Sequence, residues 1–196
     1  MKRLSAIAAG LVLVVGSVAV TRTSAQTPAW TTLFDGKNLD AFNAEGTANW
    51  KIVDGVVQAD SGTGFLVTKQ PYGDFEIKAE FWVDTPANSG IFIRCSDPKA
   101  VGAETCYEVN IFDTRPDPAY ATGAIVNVAK VATPIKAGGK WNTYEIRAEG
   151  PRMIVTLNGV RTADAQDGKH ARGPIGLQYG AGVVKFRNVQ IRSLGR

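Results

Sequence analysis

Histidine and cysteine are scarce in this sequence of 196 residues, which contains one histidine and two cysteines. His170 stands alone in a polar stretch and has no second histidine with which to form a metal cluster. We therefore interpret it as a surface loop residue and expect no metal site and no cofactor there.

Blocks of like charge are also absent. The chain has 22 Lys and Arg against 18 Asp and Glu, but three basic residues and no acidic ones lie in the first 25 positions. The other 171 residues thus carry 19 basic and 18 acidic side chains. Because nucleic-acid binding depends on a basic patch, we expect no nucleic-acid partner.

The first 25 residues have the three parts of a secretory signal peptide. Lys2 and Arg3 begin it, an apolar stretch follows, and Thr23-Ser24-Ala25 offers a cleavage site. The apolar run of about 17 residues is shorter than the about 20 that span a membrane. We predict that residues 1–25 are removed and that 26–196 form one domain, secreted or periplasmic, with no membrane attachment.

Cys95 and Cys106 are candidates for a disulfide, since an exported protein meets an oxidising environment. Strand alternation puts Cys106 on the face of Glu108 and Cys95 on the opposite face, which argues against a simple cross-strand bond. An irregular strand start near Thr105 would bring both onto one face. We expect the disulfide, with two buried free thiols as the alternative.

No stretch after residue 25 repeats apolar residues at helical spacing. Short alternating runs separated by turn residues indicate β-strands, and Asp54-Gly55 and Asn158-Gly159 are typical of tight hairpins. With no helix to cover a sheet, this predicts an all-β, two-sheet antiparallel jelly-roll sandwich. The predicted strands are Trp50–Val53, Gly55–Ala59, Gly64–Thr68, Asp74–Val83, Gly90–Cys95, Thr105–Phe112, Gly123–Val128, Trp141–Glu149, Met153–Leu157, Ile175–Gln178 and Val183–Ser193.

Three of these strands, Asp74–Val83, Gly90–Cys95 and Thr105–Phe112, carry polar and aromatic side chains on the face opposite their apolar residues. If the strands are neighbours, those side chains form one surface, which consists of Glu80, Trp82, Phe92, Arg94, Glu108, Asn110 and Phe112. Flat rings stack on the C–H faces of sugars, and the polar groups bind hydroxyls, so the surface suits a carbohydrate. The alternative is an ordinary solvated face of salt-bridged pairs.

An ordered series of motifs resembles the 3-keto-disaccharide hydrolase domain family over residues 30–194. The motifs are Leu33 to Leu39, Asp74 to Ile77, Asn88 to Arg94, Tyr107 to Asp113, Thr122 to Ile125, Gly139 to Asn142, Asn158-Gly159, Gly173 to Gln178 and Phe186 to Val189. The resemblance implies a concanavalin A-like fold, export from bacteria, and action on glycosides oxidised to a ketone at C3. It also implies a partner oxidoreductase that makes the keto sugar. The chain departs from the family at Asn110, where Gln is usual, and at Tyr179, where His is common.

The implied chemistry starts with removal of the C2 proton, which the neighbouring ketone acidifies. The group on C1 then leaves by elimination, and water adds back. Glu108 is the candidate base and Arg94 the electrostatic stabiliser, while Asp113 and Tyr179 are further catalytic candidates. The candidate substrate-binding residues are Glu80, Trp82, Phe92, Asn110, Phe112 and Gln178.

Two other functions remain open. A sugar-binding module without catalysis would use the same face, with Trp82 and Phe92 as platforms. The spacing of Glu108, Asn110 and Asp113 is similar to the E-x-D-x-x-E of endoglycanases of this fold, although a regular strand would put the two acids on opposite faces. A structural calcium ion in the run 113–118 also stays open, with a rigid turn as the simpler interpretation.

Overall fold

The computed structural model describes residues 28–195, so the predicted signal peptide lies outside the described residues. Within that range the chain forms thirteen strands and one turn of 3₁₀ helix at Pro118–Tyr120. The strands are β1 (Thr31–Phe34), β2 (Phe42–Gly46), β3 (Lys51–Val53), β4 (Val56–Ala59), β5 (Gly64–Thr68), β6 (Phe75–Val83), β7 (Ser89–Ile93), β8 (Tyr107–Ile111), β9 (Trp141–Glu149), β10 (Arg152–Leu157), β11 (Val160–Gln166), β12 (Gly176–Tyr179) and β13 (Val184–Ser193). Over the described range, no helix is long and apolar enough to cross a membrane.

The strands form two antiparallel sheets that pack face to face. The larger sheet has eight strands in the order β11-β10-β9-β6-β13-β4-β3, with β1 paired to β13. The smaller has five in the order β2-β5-β12-β7-β8. The predicted all-β, two-sheet antiparallel sandwich is confirmed.

The core between the sheets follows from strict alternation along the strands. In β6 every second residue is buried, beginning at Phe75, and the residues between are partly exposed. In β7 and β8 every residue is buried, because the outer face of these two strands is also covered. Alternation predicts which side chains enter a core because neighbouring side chains of a strand point to opposite faces.

Both predicted hairpins are present. Asp54 and Gly55 have φ angles of 51° and 75°, and Asn158 and Gly159 have 51° and 80°. The predicted strand Gly123–Val128 is not a strand, because positive φ angles at Gly123 (97°) and Asn127 (61°) turn the chain. Ile125 alone bridges Val109 and Ala129. β1, β2 and β11 were not predicted.

Part of the outer face of the five-stranded sheet is covered by residues 96–105, here called the disulfide loop, whose Val101 packs beside Phe92. Cys95 and Cys106 are bonded at its two ends, which confirms the disulfide. The irregularity that brings them together lies at Arg94, whose φ is 53°, and not near Thr105 as expected. Because the left-handed backbone at Arg94 interrupts the alternation, Cys95 packs with Phe92 on the outer face.

Candidate functional site

The three strands predicted to share one surface belong to different sheets. β6 lies in the eight-stranded sheet, whereas β7 and β8 are neighbours in the five-stranded sheet. Glu80 and Trp82 therefore lie on the opposite side of the sandwich from Phe92 and Glu108. The predicted common surface therefore does not form. The prediction failed because alternation shows which side chains share a face of a strand but not which strands are neighbours.

On the larger sheet, Glu80 and Trp82 belong to a ladder of charged pairs. Glu80 accepts hydrogen bonds from Nε of Arg187 and Nδ2 of Asn188, both at 2.7 Å. The ammonium of Lys185 lies 4.8 Å from the Trp82 ring centre. This is the solvated, salt-bridged face that the sequence left as the alternative, and it removes both residues from the surface that carries Glu108.

Two rows of residues cross the outer face of the five-stranded sheet. Strand register aligns Glu45 with Phe65 and Phe65 with Gln178, and it aligns Phe92 with Glu108. The first row consists of Glu45, Phe65, Gln178, Gly90 and Asn110. The second row lies next to it and consists of Asn43, Val67, Gly176, Phe92 and Glu108. Four of the predicted site residues, Phe92, Glu108, Asn110 and Gln178, are thus brought together.

Glu108 is a largely buried carboxylate without a hydrogen bond. The residue is 8% exposed, and within residues 28–195 its carboxylate has no hydrogen-bond or salt-bridge partner. Burial raises the pKa of Glu108 above its ordinary value, and the positive charge of Arg115 opposes this effect. A carboxylate with a raised pKa and free lone pairs is suited to accept a proton from a bound molecule.

Two amide oxygens in the first row lack donors. Oδ1 of Asn110 and Oε1 of Gln178 are buried without a hydrogen-bond partner in the described chain. Gly90 lies between these two residues, and a Cβ at this position would lie 3.2 Å from Cε2 of Phe92 and 3.5 Å from Oε1 of Gln178, so the Phe92 ring covers the glycine beside this amide. Since buried acceptors are normally satisfied, Gln178 offers a place for a ligand hydroxyl.

Asn110 itself is less accessible than the sequence suggested. Its exposure is 0%, and its Nδ2 donates to the carbonyl of Tyr120 over 2.6 Å. The side chain therefore holds the loop at Tyr120 against β8, and Asn110 is a positioning residue.

Phe92 is covered, which corrects its expected role as an open stacking platform. It packs with Cys95 and Cys106, and its ring centre lies 5.1 Å from that of Phe65. Val101 of the disulfide loop closes this cluster from above. Phe112, directly after β8, is half-buried.

Arg94 turns away from the site. It is 1% exposed and donates from Nε to the carbonyl of Gly73 at 2.9 Å, from Nη1 to that of Gly150 at 2.6 Å, and from Nη2 to Asp74 at 3.0 Å. Each guanidinium nitrogen is thus bound within the fold. The expected role in stabilising a transition state is corrected, because these donors are not free to reach a substrate.

Asp113 anchors a loop. Its carboxylate accepts hydrogen bonds from the hydroxyl of Thr122 at 2.6 Å and from the backbone N–H groups of Ala137 and Gly138 at 2.8 Å and 2.9 Å. The proposed catalytic role and the endoglycanase-like pairing with Glu108 are therefore not supported, since its oxygens are already satisfied. Asp117 caps the short helical turn through the N–H of Ala119, so the run 113–118 is a turn.

Tyr179 points into the core, not toward the outer face. Its hydroxyl donates to the carbonyl of Gly182 at 3.0 Å, and its ring contacts Trp50 edge-on. Burial raises the pKa of its hydroxyl. This arrangement corrects its candidate role as a proton donor, because alternation along β12 turns Gln178 outward and Tyr179 inward.

His170 is buried, so the interpretation as a surface residue was wrong. Its ring lies 5.0 Å from that of Tyr107, and its backbone N–H donates to the Tyr107 hydroxyl at 3.0 Å. Burial, followed by the charge of Lys169, lowers the pKa of the imidazole.

Three residues that the sequence reasoning missed border the same face as Glu108. Glu45, Phe65 and Lys99 line a cavity of about 510 Å³ together with Gln178. Phe65 lies in a correctly predicted strand, so alternation alone could have placed it with Gln178. Glu45 lies in an unpredicted strand, and Lys99 lies in the disulfide loop, where no local pattern marks it.

Comparison with known proteins identifies relatives of this fold. A family model described as the 3-keto-alpha-glucoside-1,2-lyase-like domain matches residues 29–192. No curated protein sequence matches the chain.

Solved structures resemble it closely in shape. A provisionally named glycosyl hydrolase from Parabacteroides distasonis aligns with a TM-score of 0.76 at 21% identity, over 85% of this chain and 94% of that one. A second from the same bacterium has a TM-score of 0.72 at 29% identity, over 85% of this chain and 100% of that one. The carbohydrate-binding module CBM66 from Bacillus subtilis has a TM-score of 0.59 at 20% identity, over 85% and 97% of the two chains. At 20–21% sequence identity, the first and third of these structures show only that the fold is shared.

Proposed function

The chain belongs to the 3-keto-alpha-glucoside-1,2-lyase-like domain family, and from this premise we propose that it cleaves the glycosidic bond of 3-keto-glycosides, with Glu108 as the base. The family is the one that the sequence motifs indicated, and the protein is carbohydrate-related. The observation that carries the proposal is the Glu108 carboxylate, which is mostly buried, has no hydrogen-bond partner in residues 28–195 and has a raised pKa.

The proposed reaction begins at C2 of the oxidised sugar. Glu108 takes the C2 proton, and the electron pair moves toward the C3 ketone to form an enolate. The enolate then forms the C1–C2 double bond as the C1–O bond breaks, and the departing oxygen takes a proton. Water then adds across the C1–C2 double bond, its oxygen to C1 and a proton to C2, which yields the free 3-keto sugar, so the overall change is hydrolysis.

Gln178 is the residue that we propose to orient the substrate. Its Oε1 is a buried acceptor without a donor, which suits a sugar hydroxyl, and its amide group can also donate toward an oxygen of the ring. Asn110, on β8 with Glu108, acts indirectly by holding residue 120 in place. With Arg94, Asp113 and Tyr179 engaged in the fold, these side chains of the outer face are the basis of the proposal.

The substrate implies a second enzyme. A 3-keto-glycoside must be made by oxidation of a hydroxyl, so we propose that a sugar 3-oxidoreductase supplies it. The proposed signal peptide would place the reaction outside the cytoplasm.

A sugar-binding module without catalysis is the second candidate. One observation favours it: three of the four expected catalytic side chains are bound within the fold, so a separate proton donor for the departing oxygen is not assigned. The binding face would again be that of Gln178 and Phe65, because Trp82 lies on the other sheet.

The deciding experiment compares a 3-keto-disaccharide with the matching unoxidised disaccharide. Purified protein is incubated with each, and release of free sugar is followed for the parent protein and for Glu108→Gln. A matched control is Glu145→Gln, a half-exposed glutamate of the eight-stranded sheet that pairs with Lys78.

We expect cleavage of the oxidised sugar only, abolished by Glu108→Gln and retained by Glu145→Gln. Full activity of folded Glu108→Gln would refute the assigned base. Binding of either sugar without cleavage would establish the second candidate.

A further inference from the structure

The cavity beside Gln178 is walled by two different parts of the chain. Phe65 and Gln178 contribute its floor from adjacent strands, and residues 98–101 of the disulfide loop form one side. Its volume of about 510 Å³ falls within the roughly 300–1,000 Å³ of small-molecule sites. The cavity is therefore large enough for a small organic ligand.

Two charged side chains on the rim have no ion-pair partner. Glu45 and Lys99 are exposed, and neither forms a salt bridge with any residue of the described range. By contrast, the glutamates of β6 on the opposite sheet are tied to arginines. An acceptor and a donor left without partners beside a cavity are available to a ligand.

The chemistry of the cavity fits a neutral ligand rich in hydroxyls. Oε1 of Gln178 requires a donor, Glu45 accepts, Lys99 donates, and the half-buried ring of Phe65 offers an apolar surface for C–H groups. One positive and one negative side chain give the rim no net charge, which does not favour an anion. A sugar ring presents donors, acceptors and C–H faces together.

The position of the cavity relates it to the proposed reaction. Gln178 belongs to both places, since it lies one strand from Gly90 and also lines the cavity. Asn110 and Gln178 lie two strands apart, which is roughly 10 Å at the usual strand spacing. Glu108 lies in the second row, two residues from Asn110 on β8, so a sugar beside Glu108 and a second one in the cavity would lie diagonally across the two rows.

We propose that this cavity is the subsite for the sugar that is not oxidised, with Glu45 and Lys99 as specificity-determining residues. The proposal rests on the proposed function, and what it adds is the assignment of the residues that would hold the second sugar of a 3-keto-disaccharide.

The test measures kcat/KM for a 3-keto-disaccharide and for the methyl 3-keto-glycoside of the same sugar. The double variant Glu45→Gln/Lys99→Met is compared with Glu104→Gln/Lys130→Met, which replaces exposed residues of the same charges outside the cavity. We expect the ratio of kcat/KM for the disaccharide to kcat/KM for the methyl glycoside to fall about tenfold in Glu45→Gln/Lys99→Met. The same ratio should be unchanged in Glu104→Gln/Lys130→Met. Circular dichroism confirms that both variants fold.

An unchanged ratio in the cavity variant would overturn the proposal, as would an equal fall in both variants. If the parent protein cleaves neither substrate, calorimetry with the unoxidised disaccharide separates the two proposals. An about tenfold weaker binding in the cavity variant alone then supports the subsite while the proposed reaction fails. Absence of binding to the parent protein refutes both.

Discussion

Nη2 of Arg94 donates a hydrogen bond to Oδ1 of Asp74 over 3.0 Å, and the arginine side chain is 1% exposed. The same oxygen accepts from the N–H of Gly150 at 2.8 Å. The end of β7 is thereby tied to the segment before β6 and to the turn between β9 and β10. Arg94 joins the two sheets at one end of the sandwich, so its contribution is to stability.

Replacement of Arg94 by Met is expected to destabilise the fold severely. Removing one partner of a fully buried ion pair costs about 3–5 kcal/mol, and the side chain of Asp74 is 21% exposed, so we expect a loss near the lower end of that range. Two carbonyl groups also lose their donor. Urea unfolding measures the loss. Arg152→Met is the control, because Arg152 pairs with Asp164 at 2.9 Å while half exposed, and such pairs contribute about 0–1 kcal/mol. A stable but inactive Arg94→Met protein would instead support a catalytic role.

The sequence correctly predicted which side chains share a face of each strand, but it did not predict which strands are neighbours in a sheet. Alternation in Phe75–Val83 and the hairpin signals at Asp54 and Asn158 depend on residues close together in the chain, and both were confirmed. The assignment of β6 and β7 to different sheets depends on how distant strands pair, for which a single sequence has no local pattern.

Two other features were beyond the sequence for physical reasons. A positive φ is uncommon for arginine, so the turn at Arg94 that reverses the alternation has no compositional signal. β2 carries Glu45 and Gly46, residues with low strand propensity, and it is a strand because it pairs with β5. The half of the candidate site on β7, β8 and β12 was therefore predictable, and the half on β2 and the disulfide loop was not.

Removal of the disulfide is expected to destabilise the protein by about 2–3 kcal/mol, given the short segment that it closes. The bond joins residues 11 positions apart and holds the loop that packs Val101 onto Phe65 and Phe92. The variant Cys95→Ser/Cys106→Ser is compared with the parent protein by urea unfolding, with and without reductant. The parent alone should respond to reductant, and equal stability of all four samples would contradict the prediction.

Gly173→Ala is expected to disrupt the packing of the strand end against Cys95. A Cβ at this position would lie 2.0 Å from the carbonyl oxygen of Cys95, so the backbone must move, at the upper end of the about 1–3 kcal/mol of overpacked sites. Gly168→Ala is the matched control, because its Cβ would meet no atom within 4 Å. Thermal unfolding should show a lower Tm for Gly173→Ala only, and similar Tm values would refute the steric argument.

The rate of cleavage should fall on the acid side at a pH above the ordinary pKa of a glutamate. A base acts only when it is deprotonated, and burial raises the pKa of Glu108 above its ordinary value of 4.5. The acid limb of a plot of kcat/KM against pH, measured with a 3-keto-disaccharide, reports this group. A limb at or below pH 4.5 would exclude Glu108 in this environment as the base.

The same carboxylate should make stability depend on pH. Because burial raises the pKa of Glu108 in the folded state, its stabilising contribution is complete below the unfolded pKa and is lost as the pH rises through the folded pKa. Glu108→Gln removes this loss, so the variant should gain more free energy of unfolding relative to the parent at pH 7 than at pH 4. Urea unfolding at the two pH values measures the difference, with Glu145→Gln as the control. A difference that is the same at both pH values would mean that the Glu108 carboxylate is not destabilised by its burial, and the basis for its use as a base would be lost.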